Sequence, residues 1–414
     1  MPLKLSRIFL IIMVIFLAAI YLPHFYWMAA SPKIHKPSVY YSPVLKKFLS
    51  FKYDGNPNVF CTDSDGKTYT RKQTDKLLPF MNYRLLAAKE TMPDSIDGTP
   101  ITLEEVRLNN FLLRTRPHQL DVPQIPLYPL FESRPERLQL EIPQCFFRIT
   151  GNKMEFINTR TNEQDKELTN LFTKALVNQG FAFPAKGIYG NPTTRKAFDE
   201  GYFIVDSNHF VYHVKMIRGK PFCVKTGIPN DIRIRKFIVK EMVLKEFYGY
   251  IITEDNRVFF VMYDNYKLQQ IPSDGYDQKR DHIFIVGNFL YRTISYISTN
   301  SVRCLVLNRK YKQVDNFEIK WKDKYQLKPG IIASYIFPFT ISTEDRSSYF
   351  NNIFIKHISY NAIYLNIFLL IFLITYYKKT DISVTKNWLD LLFVLFFGIF
   401  GFIAVLIFKN EDVE

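Results

Sequence analysis

Three long apolar runs, at residues 8–30, 358–377 and 388–408, constrain the fold of this 414-residue chain more than any other feature. An α-helix rises about 1.5 Å per residue, so each run is long enough to cross the roughly 30 Å hydrocarbon core of a bilayer. Aromatic residues, whose rings favour the headgroup layer, lie at the ends of the runs: Tyr26, Trp27, Tyr376, Tyr377 and Trp388. The sequence therefore predicts three transmembrane helices, with the lipid bilayer as a partner.

The first run has an alternative interpretation as a cleaved signal peptide. Its apolar stretch is longer than a usual signal sequence, and Met28 stands in "YWMAAS" where a small residue would be needed for cleavage. We therefore expect an uncleaved anchor at residues 1–30. For residues 357–408 we expect a two-helix transmembrane hairpin rather than a helical pair buried in a soluble core, followed by a short tail at 409–414.

Basic residues beside the apolar runs predict the orientation of the chain. Lys4 and Arg7 precede the first run, and Lys378, Lys379 and Lys386 lie between the last two. Cytoplasmic flanks of membrane helices are enriched in Lys and Arg, so we expect the amino terminus in the cytoplasm. Residues 32–356 would then lie outside it. With three crossings the mostly acidic tail "KNEDVE" would also end outside.

Most of the net charge of +15 belongs to the large segment between the first and second runs. A basic exterior domain suits an anionic membrane surface or a polyanionic envelope polymer, although ordinary surface lysines with a mild bias are the favoured explanation. No zinc, helix-turn-helix or RNA-binding signature accompanies the charge, so we expect no nucleic acid partner. The cysteines Cys61, Cys145, Cys223 and Cys304 allow three disulfide pairings or four buried strand thiols, and the sequence leaves this open.

The large segment is mainly a series of β-hairpin patterns. "FDEGYFIVDSNHFVYHVK" starts at Phe198, and "FYGYIITEDNRVFFVMYDNYK" repeats its Gly-Tyr, apolar run, polar turn and aromatic return 48 residues later. Similar units occur near residues 58–70, 144–158, 282–296 and 302–318, at irregular spacing that excludes a strict repeat.

We expect a membrane-anchored, mainly β fold with inserted helices. Its extracytoplasmic domain, residues 58–356, would be a degenerate β-propeller or an antiparallel sheet, and residues 31–57, rich in Pro and Lys, would be a juxtamembrane linker. Helical patterns interrupt the hairpins, among them one opened by a capping box of Thr102 and Glu105.

Few residues suggest chemistry. His209 and His213 lie in a strand pattern, where a separation of four residues spans about 13 Å, too far to share a metal ion. Acidic clusters such as "DSDG" and "TEDN" match the needs of tight turns. The most unusual polar stretch is "GNPTTRKAFDEG", in which a ligand could contact Arg195, Lys196, Asp199 and Glu200. We expect no catalytic residue, cofactor or metal.

Polar and small residues within the last two apolar runs predict helix packing. They are Asn361, Asn366, Asp390, Gly398 and Gly401. Polar side chains at membrane depth usually face other helices, and glycines allow helices to approach closely. The partner helix would belong either to this chain or to another membrane protein.

Several long phrases resemble an uncharacterised family of Bacteroidetes membrane proteins with a domain of unknown function. They include "MPDSIDGTPIT", "LYPLFESRPERLQLEIP" and "GFAFPAKGIYGNPTTRKAFDEGYFIVD". The resemblance implies a multi-pass protein of the bacterial inner membrane that is encoded with ABC-transporter components. It defines no catalytic residue.

The leading hypothesis is a non-enzymatic inner-membrane protein whose exterior domain binds a partner protein or an envelope ligand. It would act as an accessory subunit of an ABC-type transporter, in an oligomeric state that the sequence leaves open. The alternative is a membrane-tethered hydrolase or sugar-active enzyme that uses loop carboxylates, which would have to converge in one pocket. A sensor is a third hypothesis, although short inner segments leave little room for an output domain.

Overall fold

Four-stranded antiparallel meanders, each formed by consecutive strands, make up most of the large domain. The computed structural model describes residues 2–51, 60–136, 139–343 and 347–409. The chain begins with helix α1 (Pro2–Ala30) and continues into the first sheet, with strands β1 (Ser38–Ser42), β2 (Lys47–Phe51), β3 (Cys61–Asp63) and β4 (Thr68–Tyr69). A helical segment follows, with α2 (Arg71–Leu77), α3 (Tyr83–Ala88), the hairpin β5 (Ser95–Ile96) and β6 (Thr99–Pro100), and α4 (Leu103–Asn109).

Three further meanders follow strand β7 (Phe111–Thr115). The second sheet has β8 (Tyr128–Pro129), β9 (Cys145–Ile149), β10 (Met154–Asn158) and β11 (Gln164–Asp165), and helix α5 (Lys166–Asn178) comes after it. The third sheet has β12 (Gly187–Gly190), β13 (Tyr202–Val205), β14 (Val211–Ile217) and β15 (Lys220–Lys225). The fourth sheet has β16 (Ile234–Val239), β17 (Phe247–Thr253), β18 (Val258–Met262) and β19 (Leu268–Ile271).

The fifth sheet completes the β structure of the large domain, and the membrane helices follow it. It has β20 (His282–Gly287), β21 (Tyr291–Ile297), β22 (Ser301–Asn308) and β23 (Gln313–Lys320), with β7 added beside β20 as an edge strand. Helix α6 (Lys328–Ile336), the hairpin β24 (Thr340–Ser342) and β25 (Phe354–Lys356), α7 (Ala362–Lys379) and α8 (Trp388–Ile407) end the described chain.

Apolar clusters join the five sheets face to face in a defined order. Phe147 and Ile204 belong to the cluster between the second and third sheets, and Phe203 and Phe259 to the one between the third and fourth. The fourth sheet packs on the fifth, and the fifth packs on the first. Within the described residues no apolar cluster joins the first sheet to the second, so the closure that a propeller requires is not found, and the fold is a series of packed antiparallel sheets.

Residues 38–51 are not a linker. Val39, Tyr41 and Phe48 of β1 and β2 are buried against Val302 and Val306 of the fifth sheet. Burial of these apolar side chains holds the segment in place, although its composition of Pro and Lys suggested a linker over 31–57. Residues 31–37 alone separate α1 from the first strand, and residues 52–57 lie outside the described part of the chain.

Three helices, α1, α7 and α8, are long and apolar enough to cross a membrane. They share one apolar cluster, which includes Ile15 of α1, Leu373 of α7 and Phe400 of α8. At one end of this helix group the side chain of Arg7 contacts Asp390, and we call this end the base. At the other end, the top, Tyr26 donates a hydrogen bond to the Pro329 carbonyl of α6 (2.7 Å).

Helix α8 is broken in its middle. Gly398 has φ 55° and ψ −128°, which is not helical. Asn366 of α7 lies against the break and donates a hydrogen bond from Nδ2 to the Leu395 carbonyl (3.0 Å). In a continuous helix that carbonyl would accept from the N–H four residues later, so the Asn366 amide replaces a bond that the break removes.

Candidate functional site

A buried ionic cluster lies in the polar stretch that the sequence singled out. Lys196 Nζ donates to the carboxylates of Asp199 and Glu241, the latter at 2.8 Å, and to the carbonyl of Asn191 at 2.5 Å. The side chains of Lys196, Asp199 and Glu241 are only 4%, 1% and 1% exposed. Because Glu241 follows β16 and the other residues precede β13, the cluster joins the third and fourth sheets.

A second polar group continues from the first along the same sheet interface. Glu200 accepts from Lys215 Nζ (2.8 Å) and from the hydroxyl of Tyr263. Its carbonyl lies 2.6 Å from Nε2 of His213, whose Nδ1 is 3.0 Å from the Tyr266 hydroxyl. A carbonyl can only accept, so His213 carries its proton on Nε2, and Nδ1 accepts from Tyr266.

Burial sets the protonation of both groups. It raises the pKa of Asp199 to about 6, although Lys196 opposes the shift. It lowers the pKa of His213 to about 3, with a smaller contribution from the charge of Lys215. Burial followed by the hydrogen bond to Glu200 raises the pKa of Tyr263. His213 and Tyr263 are therefore neutral near pH 7.

The ionic cluster is closed to ligands. An ammonium group has three donors, and Lys196 uses all three on protein oxygens. Three of the four residues predicted from the sequence, Lys196, Asp199 and Glu200, have their side chains buried in this interface, whereas Arg195 is exposed on the surface. Glu241, His213 and Tyr263 complete the interface, and no local pattern shows that such distant segments meet.

The remaining titratable candidates are engaged in local structure. Asp63 accepts from the backbone N–H of Asp65 and Lys67 and from the Tyr69 hydroxyl, which holds the β3–β4 turn. In the β17–β18 turn of another sheet, Asp255 accepts from the Thr253 hydroxyl and from Arg257 Nε (2.8 Å). Across the described residues, no group of three or more His, Cys, Asp or Glu side chains is arranged to hold a metal ion. The four cysteines are free thiols.

The polar and small residues of the membrane helices all lie at contacts between elements. Asn361 bonds Ser334 of α6 (3.2 Å), and Asn366 bonds α8 at its break. Asp390 accepts from Arg7 (2.8 Å) and from Tyr377 (2.7 Å). Gly398 and Gly401 lie where a Cβ atom would come within about 2 Å of Asn366 Oδ1 and Phe393 O.

An apolar cleft of about 300 Å³ lies between the first and fifth sheets. Its wall is formed by two edge strands, β1 and β7, together with the α2–α3 link and the β20–β21 turn. Tyr41, Phe80 and Phe111 line it, and Met81 and Leu112 at its mouth are each 57% exposed. Asn110 lines the cleft too, and its side chain donates to the Phe80 carbonyl (2.7 Å), which fixes the wall.

Nothing in the sequence indicated this cleft. Its residues come from four segments, near 40–43, 78–81, 110–112 and 286–293, that meet only in the fold. Each segment alone has the pattern of an ordinary strand or helix end. The exposed apolar side chains at the mouth distinguish the cleft from the closed ionic cluster.

The chain belongs to the family described as Domain of unknown function (DUF4857), whose model matches residues 38–307. The match begins at the first residue of β1 and ends in β22, so the family domain starts with the first sheet and includes most of the fifth. No curated protein matches the chain, and no solved structure does.

Proposed function

We propose that this member of the DUF4857 family is a non-enzymatic, membrane-tethered binding protein that holds a partner protein in the apolar cleft. The observation that carries the proposal is the cleft itself, with Met81 and Leu112 exposed at its mouth. Apolar side chains concentrated in a concave site are typical of binding surfaces. A partner would cover them and remove their apolar area from water.

The tether is formed by the apolar helices. Many large apolar side chains of α1 and α7 are exposed, among them Phe9, Leu17 and Phe25 of α1 and Phe368 and Ile371 of α7. In water this surface would be unfavourable, whereas lipid chains would cover it. The basic residues near the base of the helix group favour that end for the cytoplasm of a bacterial inner membrane, with the sheets on the outside.

A partner that is itself a membrane protein fits this placement. The cleft belongs to a domain that the helices tether to the bilayer, which favours a partner confined to the same surface. Transporter subunits of the ABC type are the first class of partner to test, because the family resemblance of the sequence implies a chain that is encoded with ABC-transporter components. The chain would act as an accessory subunit in that complex.

The cluster of Lys196, Asp199 and Glu241 supports binding over catalysis. A carboxyl with a raised pKa beside a second carboxylate is a pattern that general acids share. Here the carboxylates are 1% exposed and are bonded to a saturated lysine, so a substrate has no approach to them. The arrangement suits a structural tie between two sheets better than a hydrolase.

Site-specific photo-crosslinking tests the cleft. The crosslinking amino acid p-benzoylphenylalanine replaces Met81 at the cleft, and it replaces Val314 in the control. Val314 lies on β23, is 49% exposed and is not part of the cleft wall. Crosslinked products from intact membranes are identified by mass spectrometry.

We expect Met81 to crosslink to one membrane protein in high yield and Val314 to give only background. Addition of Leu112→Glu should reduce the Met81 product at least tenfold. Equal products from both positions, or a Met81 product that Leu112→Glu leaves unchanged, would show that the cleft is not the binding surface.

A further inference from the structure

The two ends of α8 contact the same residue of α1. Arg7 Nη2 lies 2.8 Å from Asp390 Oδ2, and Arg7 Nε donates to the Phe408 carbonyl at 2.8 Å. Asp390 and Phe408 are 18 positions apart, which in a straight helix is about 27 Å. One arginine side chain cannot reach across that distance. Both ends of α8 therefore lie at the base of the helix group.

The chain reverses at Gly398. A Cβ atom on Gly401 would lie 2.1 Å from the Phe393 carbonyl oxygen. Residues eight positions apart in a continuous helix are separated by about 12 Å along the axis. The two halves of α8 thus fold back against each other, and the left-handed φ of Gly398 makes the reversal.

Helix α7 contacts both halves of α8 in opposite directions. On the first half, Tyr377 pairs with Asp390, and Asn366, nearer the top, pairs with Leu395. On the second half, the rings of Phe372 and Phe402 are 5.9 Å apart. Beyond it, Lys409 Nζ lies 3.2 Å from the Tyr376 hydroxyl at the base. The first half rises from the base and the second half returns to it.

The top of the helix group is filled by other residues. Phe337, which follows α6, stacks on Phe400 with centroids 5.9 Å apart. Phe339 meets both Phe397 and Phe400, at 6.1 and 5.5 Å. The tip of the α8 hairpin therefore ends beneath the segment between α6 and β24, and a third helix does not continue to the top.

We propose that α8 is a re-entrant hairpin that enters the bilayer from the base and leaves it on the same side. The chain then crosses the membrane twice, through α1 and α7. The carboxyl terminus shares a side with the amino terminus, contrary to the three crossings that the apolar run predicts. This topology also brings Lys409 to the side of Arg7, Lys378, Lys379 and Lys386, as the preference for cytoplasmic basic residues requires.

Cysteine labelling of the full chain tests the topology. One variant carries Lys386→Cys, in the exposed link between α7 and α8, and a second carries a cysteine appended after Glu414. Val314→Cys, on the exposed face of β23 and outside the cleft, marks the side of the sheet domain, and the wild type gives the background of the four native cysteines. A membrane-impermeant maleimide is applied to spheroplasts and, separately, to inverted vesicles.

We expect the cysteine at 386 and the appended cysteine to react from the same side, and Val314→Cys from the opposite side, each with at least a fivefold preference. Reaction of the cysteine at 386 and the appended cysteine from opposite sides would show that α8 crosses the bilayer, and the proposal would be wrong.

A different observation supports a second inference, which concerns the surface at the top. Helix α6 exposes Ile331, Ile332 and Tyr335, at 51%, 53% and 45%. The nearby segment before α7 exposes Ile355 and Tyr360, at 64% and 89%. This surface is continuous with the ends of both crossing helices, because Tyr335 meets Tyr364 and α6 holds Tyr26.

We infer that this surface lies in the headgroup layer of the bilayer, on the side of the sheet domain. Apolar and aromatic side chains beside helix ends are suited to that layer, and Lys328 at the start of α6 can reach lipid phosphate. The occupant is phospholipid, and the sheet domain is thereby held against the membrane at α6 as well as by its two connections.

Quenching by brominated lipid tests this inference in the full chain. Ile332→Trp and the control Val314→Trp are reconstituted in nanodiscs of phosphatidylcholine and phosphatidylglycerol, with and without bromine on the acyl chains. The signal of the wild type, with Trp27, Trp321 and Trp388, is subtracted. We expect bromine to quench Trp at 332 at least twofold and to leave Trp at 314 unchanged. Absence of quenching at 332 would contradict a lipid contact.

Discussion

His213 has its whole side chain buried between the third and fourth sheets. Its ring stacks on Phe203 with centroids 4.3 Å apart, and both of its nitrogens are hydrogen-bonded. A protonated ring would need a second acceptor where the Tyr266 hydroxyl now donates, and it would place a charge in a buried interface close to that of Lys215. The neutral form of His213 therefore stabilises the packing of the third sheet on the fourth.

His213 should make the sheet domain sensitive to acid. Its pKa is about 3 in the folded chain, against an ordinary value of 6.5, so the unfolded chain binds more protons between those values. Stability from this residue is present above pH 6.5 and is lost as the pH falls towards 3, by at most about 1.4 kcal/mol per pH unit. Urea unfolding of His213→Gln should show a shallower loss between pH 7 and pH 4 than the wild type.

If the unfolding free energy of His213→Gln falls with pH as steeply as that of the wild type, His213 binds a proton in the folded chain as readily as in the unfolded chain. That result would contradict the hydrogen bond from Tyr266 to Nδ1.

Lys196 should be among the most costly residues to replace outside the membrane. Lys196→Met leaves Asp199 and Glu241 buried and without their cation, and the loss of one partner from such a group costs about 3–5 kcal/mol. Lys46→Met removes the exposed pair with Asp97, where solvent screens the attraction and little or no loss is expected. Chemical unfolding of the two variants measures the difference, and losses of similar size would contradict a buried ionic tie.

At the scale of elements, the repeated Gly-Tyr hairpins have a shared structural role. Each of the two tyrosines carries its hydroxyl to a neighbouring sheet. Tyr202 of β13 donates to the Pro129 carbonyl in the second sheet (3.0 Å), and Tyr250 of β17 bonds Thr115 of β7 in the fifth. The repetition therefore reflects the stacking of the sheets.

Local patterns predicted several elements correctly because they act within a few residues. The capping box of Thr102 and Glu105 opens α4, and both hairpins of the Gly-Tyr pair occur as strand pairs. The strands β1 and β2 were missed because their burial depends on the distant fifth sheet. The reversal of α8 was also hidden, since a glycine within an apolar run has the same pattern whether the helix continues or turns.

Replacement of Gly398 by alanine should change the stability of the chain in opposite directions for a reversed helix and for a straight one. In a straight helix, Gly398→Ala would stabilise the chain by up to about 1 kcal/mol. In the reversed helix alanine must adopt φ 55°, and its Cβ would lie 2.0 Å from Asn366 Oδ1, so a loss of about 1–3 kcal/mol is expected. Thermal unfolding of the full chain in detergent measures the change.

Gly151→Ala is the matched control for this substitution. A Cβ atom at Gly151, in the β9–β10 turn, meets nothing within 4 Å. Its replacement should therefore leave the unfolding temperature nearly unchanged. A gain in stability from Gly398→Ala would contradict the reversal.

At the scale of the whole molecule, the first and last helices of the described chain, α1 and α8, meet through Arg7 and Asp390. Arg7→Met leaves a carboxylate that is 1% exposed without its cation, and a loss of about 3 kcal/mol is expected. Addition of Asp390→Asn removes the unpaired charge and should recover part of that loss. Thermal unfolding of the two single variants and the double variant gives the coupling, and additive losses would contradict a direct pair.

The candidate sites show how far sequence reasoning extends in this protein. Sequence reasoning selected Arg195, Lys196, Asp199 and Glu200 as ligand contacts from one unusual polar stretch. The fold buries the side chains of the last three in one interface and leaves Arg195 exposed. Sequence reasoning could not provide Glu241, His213 or the cleft, because these depend on which faces of distant sheets meet. The proposal that the cleft binds a partner rests on the exposed apolar side chains at its mouth. Their exposure depends on the whole fold, so the sequence alone does not show it.

The stability of the native complex tests the central claim most directly. Membranes carrying the wild type, Leu112→Glu or the control Val314→Glu are dissolved in mild detergent and resolved by native electrophoresis. The claim predicts a discrete complex for the wild type and for Val314→Glu, and its loss for Leu112→Glu, with equal unfolding temperatures of the three isolated chains. A complex that survives Leu112→Glu unchanged would contradict a partner bound in the apolar cleft.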